Sequence, residues 1–204
     1  MNYSIQPIFP SAVLNANIGR DLTEEEIQFA QELSKTVRES DGNYQSVHHR
    51  VLDLPAFANI KSFILSALNE YVANVIVPQD NIQLYITQSW LNFTPPGQYH
   101  HKHSHPNSIL SGVFYFNAQK TADHIVFEQK DYERIYMISK RSNIFNAKTV
   151  NVDVGTGDLL IFPSETPHHV PKTSSSETRV SLAFNTFVKG EFGSDDSLTH
   201  LILP

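Results

Sequence analysis

Two hydrophobic periods divide this chain. Up to about residue 80 apolar positions recur at helical spacing, and from about Asn81 they alternate. In "DLTEEEIQFAQELSKTVRES", Thr23 and Glu26 stand three apart, as a capping box requires, and Ile27, Ala30 and Leu33 follow on one face. "LPAFANIKSFILSALNEYVANVI" predicts a second helix, with Pro55 near its first turn and Ile60, Phe63, Ile64, Leu68 and Val72 along one side. The stretch between them, around "SDGNYQSVHHRVLD", reads as a loop.

Beyond Asn81, "IQLYITQSWLNFTPP", "SILSGVFYFN", "DHIVFEQ", "KTVNVDV", "GDLLIFP", "HHVPK" and "TRVSLAFNTFV" are short strands set apart by Gly, Pro, Asn and Ser turns. With the histidine-rich segment before Ser108 they make about eight. Many short strands at this spacing predict a mainly β protein: a jelly-roll barrel supported on its outside by two N-terminal helices. One domain over 1–204 is expected, with helical support over 1–80, a β core over 81–188 and a C-terminal tail over 189–204. The apolar "LTHLILP" in that tail reads as an edge strand or as a homodimer contact.

The 204 residues, 40% of them hydrophobic, suffice for a sizeable core. The net charge of −6 disfavours a nucleic-acid binder, since phosphate recognition requires a basic surface. The absence of cysteine excludes disulfides, thiolate zinc fingers and iron–sulfur clusters. "MNYSIQPIFPSAV" has neither the charged start nor the long apolar run of a signal peptide, and no stretch approaches the ~18 apolar residues of a membrane span. A cytoplasmic protein without a membrane partner is the expectation.

The segment "YHHKHSHP" crowds His100, His101, His103 and His105 between two strands. Residues i and i+2 of a strand share a face, so His103 and His105 can reach one ion. A third ligand must come from elsewhere, and His168 or His169 in "FPSETPHHVP" follows a tight turn that lets one of them face inward. Neutral imidazoles suit Fe, Zn, Cu or Ni. Arg179, Ser181 and Ala183 share one face of the last long strand, and Val180, Leu182 and Phe184 share the other. If the first set faces the interior, the guanidinium needs an anion, which a dicarboxylate chelating the metal at its other end would supply; otherwise Arg179 is exposed and pairs with a residue such as Glu177.

The set Trp90 and Asn92, His103-Ser104-His105-Pro106, Ser111-Gly112-Val113-Phe114-Tyr115, Phe162-Pro163-Ser164, His168 and Arg179 through Asn185 resembles the 2-oxoglutarate/Fe(II)-dependent oxygenases of the double-stranded β-helix superfamily. The closing residues are similar to members encoded by marine phages and cyanobacteria. The resemblance implies Fe(II), 2-oxoglutarate as cosubstrate and O2, with 2-oxoglutarate decarboxylation coupled to hydroxylation of a substrate, small-molecule or peptidyl. It implies His103 as first ligand and His168 as distal ligand, with Arg179 and Ser181 on the far carboxylate of the cosubstrate. Asn92 and Tyr115 are further candidates for contacting it, as is Tyr99. The superfamily usually carries a carboxylate two residues after its first histidine, where this chain has His105. An all-histidine triad is the preferred reading; a pair formed by His101 and His103, or a non-ligating His105, are the alternatives. His100, His101 and His169 read as solvent-facing neighbours, and His48 and His49 have no evident partner.

Two rival functions remain. Gly97 with His103 and His105, and Gly157 with Pro163 and His168, resemble the two cupin motifs, but Ile109 and Leu110 stand where the first motif has a glutamate and Glu165 where the second has a glycine. A non-catalytic binding module on the same fold is the other. Substrate selection would fall to "NAQKTAD" and to Gln129–Lys148, a long connection suited to a lid or binding loop.

Overall fold

The computed structural model describes residues 1–130 and 138–204. Its helices are α1 (Glu24–Leu33) and α2 (Ala58–Tyr71). Its strands are β1 (Leu14–Asn17), β2 (Val37–Ser40), β3 (Asn43–Ser46), β4 (Ile82–Thr94), β5 (His100–His103), β6 (Leu110–Asn117), β7 (His124–Glu128), β8 (Thr149–Asp153), β9 (Asp158–Pro163), β10 (His168–Val170), β11 (Arg179–Phe192) and β12 (Leu201–Leu203). All eight strands expected after Asn81 are present, as β4 to β11.

The first third is less helical than its periodicity suggests. The Thr23–Glu26 capping box forms reciprocally, at 3.2 and 2.8 Å, and Arg20 clamps the Glu26 carboxylate at 2.6 and 2.9 Å. The helix nevertheless stops at Leu33, and Val37–Ser40 pairs with Asn43–Ser46 as a hairpin. Its two-residue turn is Asp41-Gly42, with Gly42 at φ 88°. Asp-Gly is the dipeptide such turns demand, although helical spacing before it and polar residues around it predict a helix end and a loop. A side chain at Gly42 would also collide with Tyr99, whose carbonyl oxygen and ring lie 2.7–2.8 Å from the position of a Cβ. The second helix matches its expected span more closely: Pro55–Phe57 forms a 3-10 turn leading into α2, and Val72–Ile76 a π turn leaving it.

The strands form two antiparallel sheets rather than a closed barrel. The major sheet has the order β1-β9-β6-β11-β4-β3-β2, with β12 added along the end of β11; the minor sheet has the order β5-β10-β7-β8. The C-terminal "LTHLILP" thus supplies the edge strand β12, paired with Gly190–Phe192.

Alternation sorts the major sheet's side chains onto two buried faces. Leu91 and Phe93, Phe114 and Phe116, Leu159 and Ile161, and Leu182 and Phe184 form one core with Phe57, Ile60, Ile64 and Leu68 of the helical layer. The intervening Tyr115, Leu160 and Phe162 pack with Ile125 and Phe127 of the minor sheet in a second core. A sheet covered on both sides presents no solvent face along its central strands, and between its second face and the minor sheet lies a cavity.

Candidate metal centre

His103 and His168 are directly opposed in the β5–β10 ladder, and their ring centroids lie 4.4 Å apart. His105 lies just past the end of β5, with its ring 4.9 Å from that of His103 and stacked at 5.2 Å on that of His168. One nitrogen from each of the three falls within 4.8 Å of the others, so the trio could hold a metal ion. His168 is buried and His169, the next residue, turns toward Glu128, with Nδ1 2.9 Å from Oε1. Both residues border the cavity, but it is the His168 ring that joins those of His103 and His105.

Two of the rings are held in one tautomer. His103 Nδ1 lies 2.8 Å from the His101 carbonyl oxygen, and His168 Nδ1 lies 3.0 Å from that of Thr166. A carbonyl only accepts, so each Nδ1 carries the hydrogen and each Nε2 keeps a free lone pair. Burial favours the neutral imidazoles, holding His105 down at about 3 and His168 at about 4, with His103 lowered too. The neighbouring rings add to the effect at His105 and His168. The rings of Phe127 and Phe162 surround His168 at 6.1 and 4.8 Å and supply much of its apolar environment. Three neutral nitrogen donors suit Fe, Zn, Ni or Cu.

His105, outside the ladder, is positioned by other means. Its amide donates to the Ser164 carbonyl (2.9 Å), and Ile109 donates to that of Thr186 (3.0 Å). Beneath the loop, buried Ser164 bonds Ser111 at 2.8 Å and Ser108 at 2.7 Å. Ser111 donates to Asn185 at 2.8 Å, while Thr186 Oγ1 accepts from the Leu110 amide and donates to its carbonyl. This hydroxyl network ties the His105 loop to β9 and β11. Ser111, Ser164 and Asn185 belong to the motifs noted in the sequence, yet nothing in their spacing announces this role, because their partners lie some fifty to eighty residues away.

Across the cavity from the imidazoles stands the inner face of the major sheet. Ser181 opposes Asn92 on β4 and Tyr115 on β6, so the three form one row across three strands. Arg179 follows on the same face of β11, and Trp90, Ala183 and Val113 make the next row. All of these residues, with His100, His103, His105 and His168, line one cavity. The guanidinium thus sits on the sheet that faces the imidazoles, β11 belonging to the major sheet and β5 and β10 to the minor.

Arg179 is only 3% exposed, and no carboxylate among the described residues pairs with it. Its Nη1 donates weakly to the His124 carbonyl (3.4 Å), its carbon lies 5.7 Å above the Tyr115 ring, and its Nε has no partner. Glu177, the alternative partner, instead accepts from Asn117 at 3.3 Å. Tyr115 Oη, Asn92 Oδ1 and Trp90 Nε1 are also buried and unpartnered. Burial pushes the Tyr115 phenol up to about 12, against the opposing influence of Arg179, so it remains a neutral donor. Three of these groups, on Arg179, Tyr115 and Trp90, are donors that fit an anionic ligand, and the fourth, Asn92 Oδ1, is an acceptor.

Residues 88–185, a stretch that contains Asn92, His103, His105, Tyr115, His168, Arg179 and Ser181, match the family described as "Putative 2OG-Fe(II) oxygenase". The fold is that of the 2-oxoglutarate/Fe(II) oxygenases. A prolyl hydroxylase from Trichoplax adhaerens, solved with a hypoxia inducible factor peptide, superposes with a TM-score of 0.59 at 16% identity, over 86% of this chain and 83% of that one. A prolyl-4-hydroxylase from Pseudomonas putida gives 0.53 at 13%, over 86% and 92%. HygX from Streptomyces hygroscopicus, solved with nickel, 2-oxoglutarate and hygromycin B, gives 0.58 at 12%, over 86% and 82%. No curated protein matches the chain by sequence. The family match and the shared fold support the oxygenase superfamily and a metal-binding oxidoreductase.

Within this fold two outlying residues, His100 and Tyr99, differ from expectation. His100, read as a solvent-facing neighbour, lines the cavity. Tyr99 does not line the cavity and donates to Asp41 at 2.8 Å. His48 and His49 contribute nothing to the cavity lining. Of the long connection Gln129–Lys148, residues 131–137 lie outside the described residues; its base is closed by a 2.8 Å bond from the Gln129 amide to the Lys148 carbonyl. No helix of the described residues is long and apolar enough to cross a membrane.

Proposed function

We propose that this chain is a 2-oxoglutarate- and Fe(II)-dependent dioxygenase that hydroxylates a small-molecule or peptidyl substrate. The observation that carries the reading is Arg179, a buried guanidinium with no carboxylate partner among the described residues, sharing one cavity with three convergent neutral imidazoles. A dicarboxylate answers both features, because one end can meet a metal and the other a guanidinium. His103, His105 and His168 would hold the iron, which when bound supplies the activation of O2 that this chemistry needs. Arg179 would neutralise the far carboxylate, with Ser181 beside it. Tyr115, kept as a phenol by burial, has its hydroxyl free to donate, and Asn92 Oδ1 is free to accept. Because none of the three ligands carries charge, the cation keeps its full positive charge, which favours an anionic cosubstrate.

The all-imidazole ligand set also admits a second reading, a cupin-type metal enzyme that makes no use of 2-oxoglutarate. Anaerobic Fe(II) loading, followed by 2-oxoglutarate and oxygen with succinate measured, separates the two. The proposal expects succinate from wild type and a loss of 2-oxoglutarate binding of about 100-fold in Arg179→Gln, equivalent to about 2.7 kcal/mol. Iron uptake without 2-oxoglutarate binding would favour the cupin-type reading. A folded chain that takes up no Fe(II), Mn(II), Ni(II) or Co(II) would favour the non-catalytic module.

A further inference from the structure

The β5–β10 ladder contains an irregularity that draws three histidines together. His168 opposes His103, but Val170 opposes His100, so β5 holds one residue more than its partner between these pairs. Such a bulge re-aims a side chain that regular alternation would send to the other face. Here it concerns His101. In a flat strand His100 and His101 would point to opposite sides. Instead their rings lie 5.1 Å apart, and those of His100 and His101 are 4.7 and 5.0 Å from that of His103. One nitrogen from each of the three falls within 4.8 Å of the others.

This outer trio differs from the inner one in access. His100 lines both the inner cavity and a surface groove, and His101 lines the groove, beside Lys102, Glu128, His169 and Lys172. His101 Nδ1 is buried without a hydrogen-bond partner and lies 3.9 Å from Asp41 Oδ2, a carboxylate already oriented by the Tyr99 hydroxyl. A carboxylate behind a ligating imidazole is a common arrangement at metal sites.

We propose that His100, His101 and His103 form a second cation site, for a divalent d-block ion such as Zn(II), that overlaps the inner site and excludes simultaneous occupancy. The shared residue decides the exclusion. His103 Nδ1 is committed to the His101 carbonyl, so a single lone pair remains, and it can serve one cation at a time. An ion on the outer trio therefore removes one of three ligands from the inner centre. This inference requires that the inner trio bind a cation, and it is independent of 2-oxoglutarate chemistry.

Titration calorimetry of the metal-free chain with Zn(II) alone tests it, using His105→Ala/His168→Ala to dismantle the inner site, His100→Ala/His101→Ala to dismantle the outer, and His103→Ala to remove the shared ligand. The expected result is one tight equivalent in wild type and in each double variant, with His103→Ala losing the tight uptake. Should the inner double variant fail to fold, His168→Phe, which keeps a ring against Phe127 and Phe162, takes its place. Two tight equivalents in wild type overturn the exclusion. A folded variant that lacks the inner site and takes up no Zn(II) beyond His103→Ala overturns the outer site. Failure of the dioxygenase reading would appear separately, as absent 2-oxoglutarate dependence with these stoichiometries unchanged.

Discussion

The two faces of the major sheet are built from alternate residues of the same strands, yet they obey opposite rules. On β11, Val180, Leu182 and Phe184 meet the helices, where Leu182 and Phe184 are fully buried and the one polar neighbour opposite Phe184, Ser89, accepts from the Leu52 amide at 2.9 Å. One residue out of phase, Arg179, Ser181 and Ala183 meet the cavity, where Arg179 Nε, Tyr115 Oη, Asn92 Oδ1 and Trp90 Nε1 all lack partners. The helix-side face stabilises by burying apolar surface. The cavity-side face holds polar groups at a cost in stability, and that cost marks where a ligand belongs.

Truncation on the helix side gives the largest expected change. Phe184→Ala removes a ring so closely packed on Gly112 that a Cβ there would sit 2.2 Å from its Cζ. Chemical denaturation should register a loss of about 3–5 kcal/mol, with metal uptake retained by the folded fraction. A loss below about 1 kcal/mol would show that the helical layer is loosely packed.

Arg179→Met takes the comparison in the opposite direction. Replacing an unpaired buried charge by a side chain of similar length should raise stability by roughly 1–3 kcal/mol while 2-oxoglutarate binding is lost. If that variant is instead destabilised, the Tyr115 contact and the His124 bond give Arg179 a structural role, and the contrast between the faces weakens.

A third test, whose effect accumulates gradually, concerns pH in the metal-free chain. Burial depresses His105 to about 3 and His168 to about 4, so below the ordinary imidazole value the unfolded chain binds protons that the folded chain does not. Stability is then fully present above about pH 6.5 and falls as the pH drops toward 4, by at most about 1.4 kcal/mol per pH unit for each histidine. His105→Asn/His168→Asn should flatten the slope between pH 6.5 and 5. An unchanged slope in that variant would place the effect on other groups.

Much of the architecture was legible because period-two alternation and turn residues are local signals. β4 to β11 were visible that way, as was the capping box of α1. The β2–β3 hairpin was hidden behind the helical spacing of Ile27, Ala30 and Leu33, although Asp41-Gly42 carried its turn. β1 was missed for a different reason: four residues, Leu14–Asn17, are too few to establish a period, and they become a strand only by pairing with β9.

The sequence alone determined which residue types could do chemistry and which of them share a strand face, since a chain of L-residues in a strand must alternate. It could not say which face of β11 looks into the cavity. Both faces are buried, so hydropathy distinguishes them only by polarity and never by solvent. Nor could it supply the His105 loop anchors, the alignment of Ser181 with Asn92 and Tyr115, or the bulge that gathers His100 and His101 toward His103. Those depend on register between strands far apart in the chain, and register is settled only when the sheets pack.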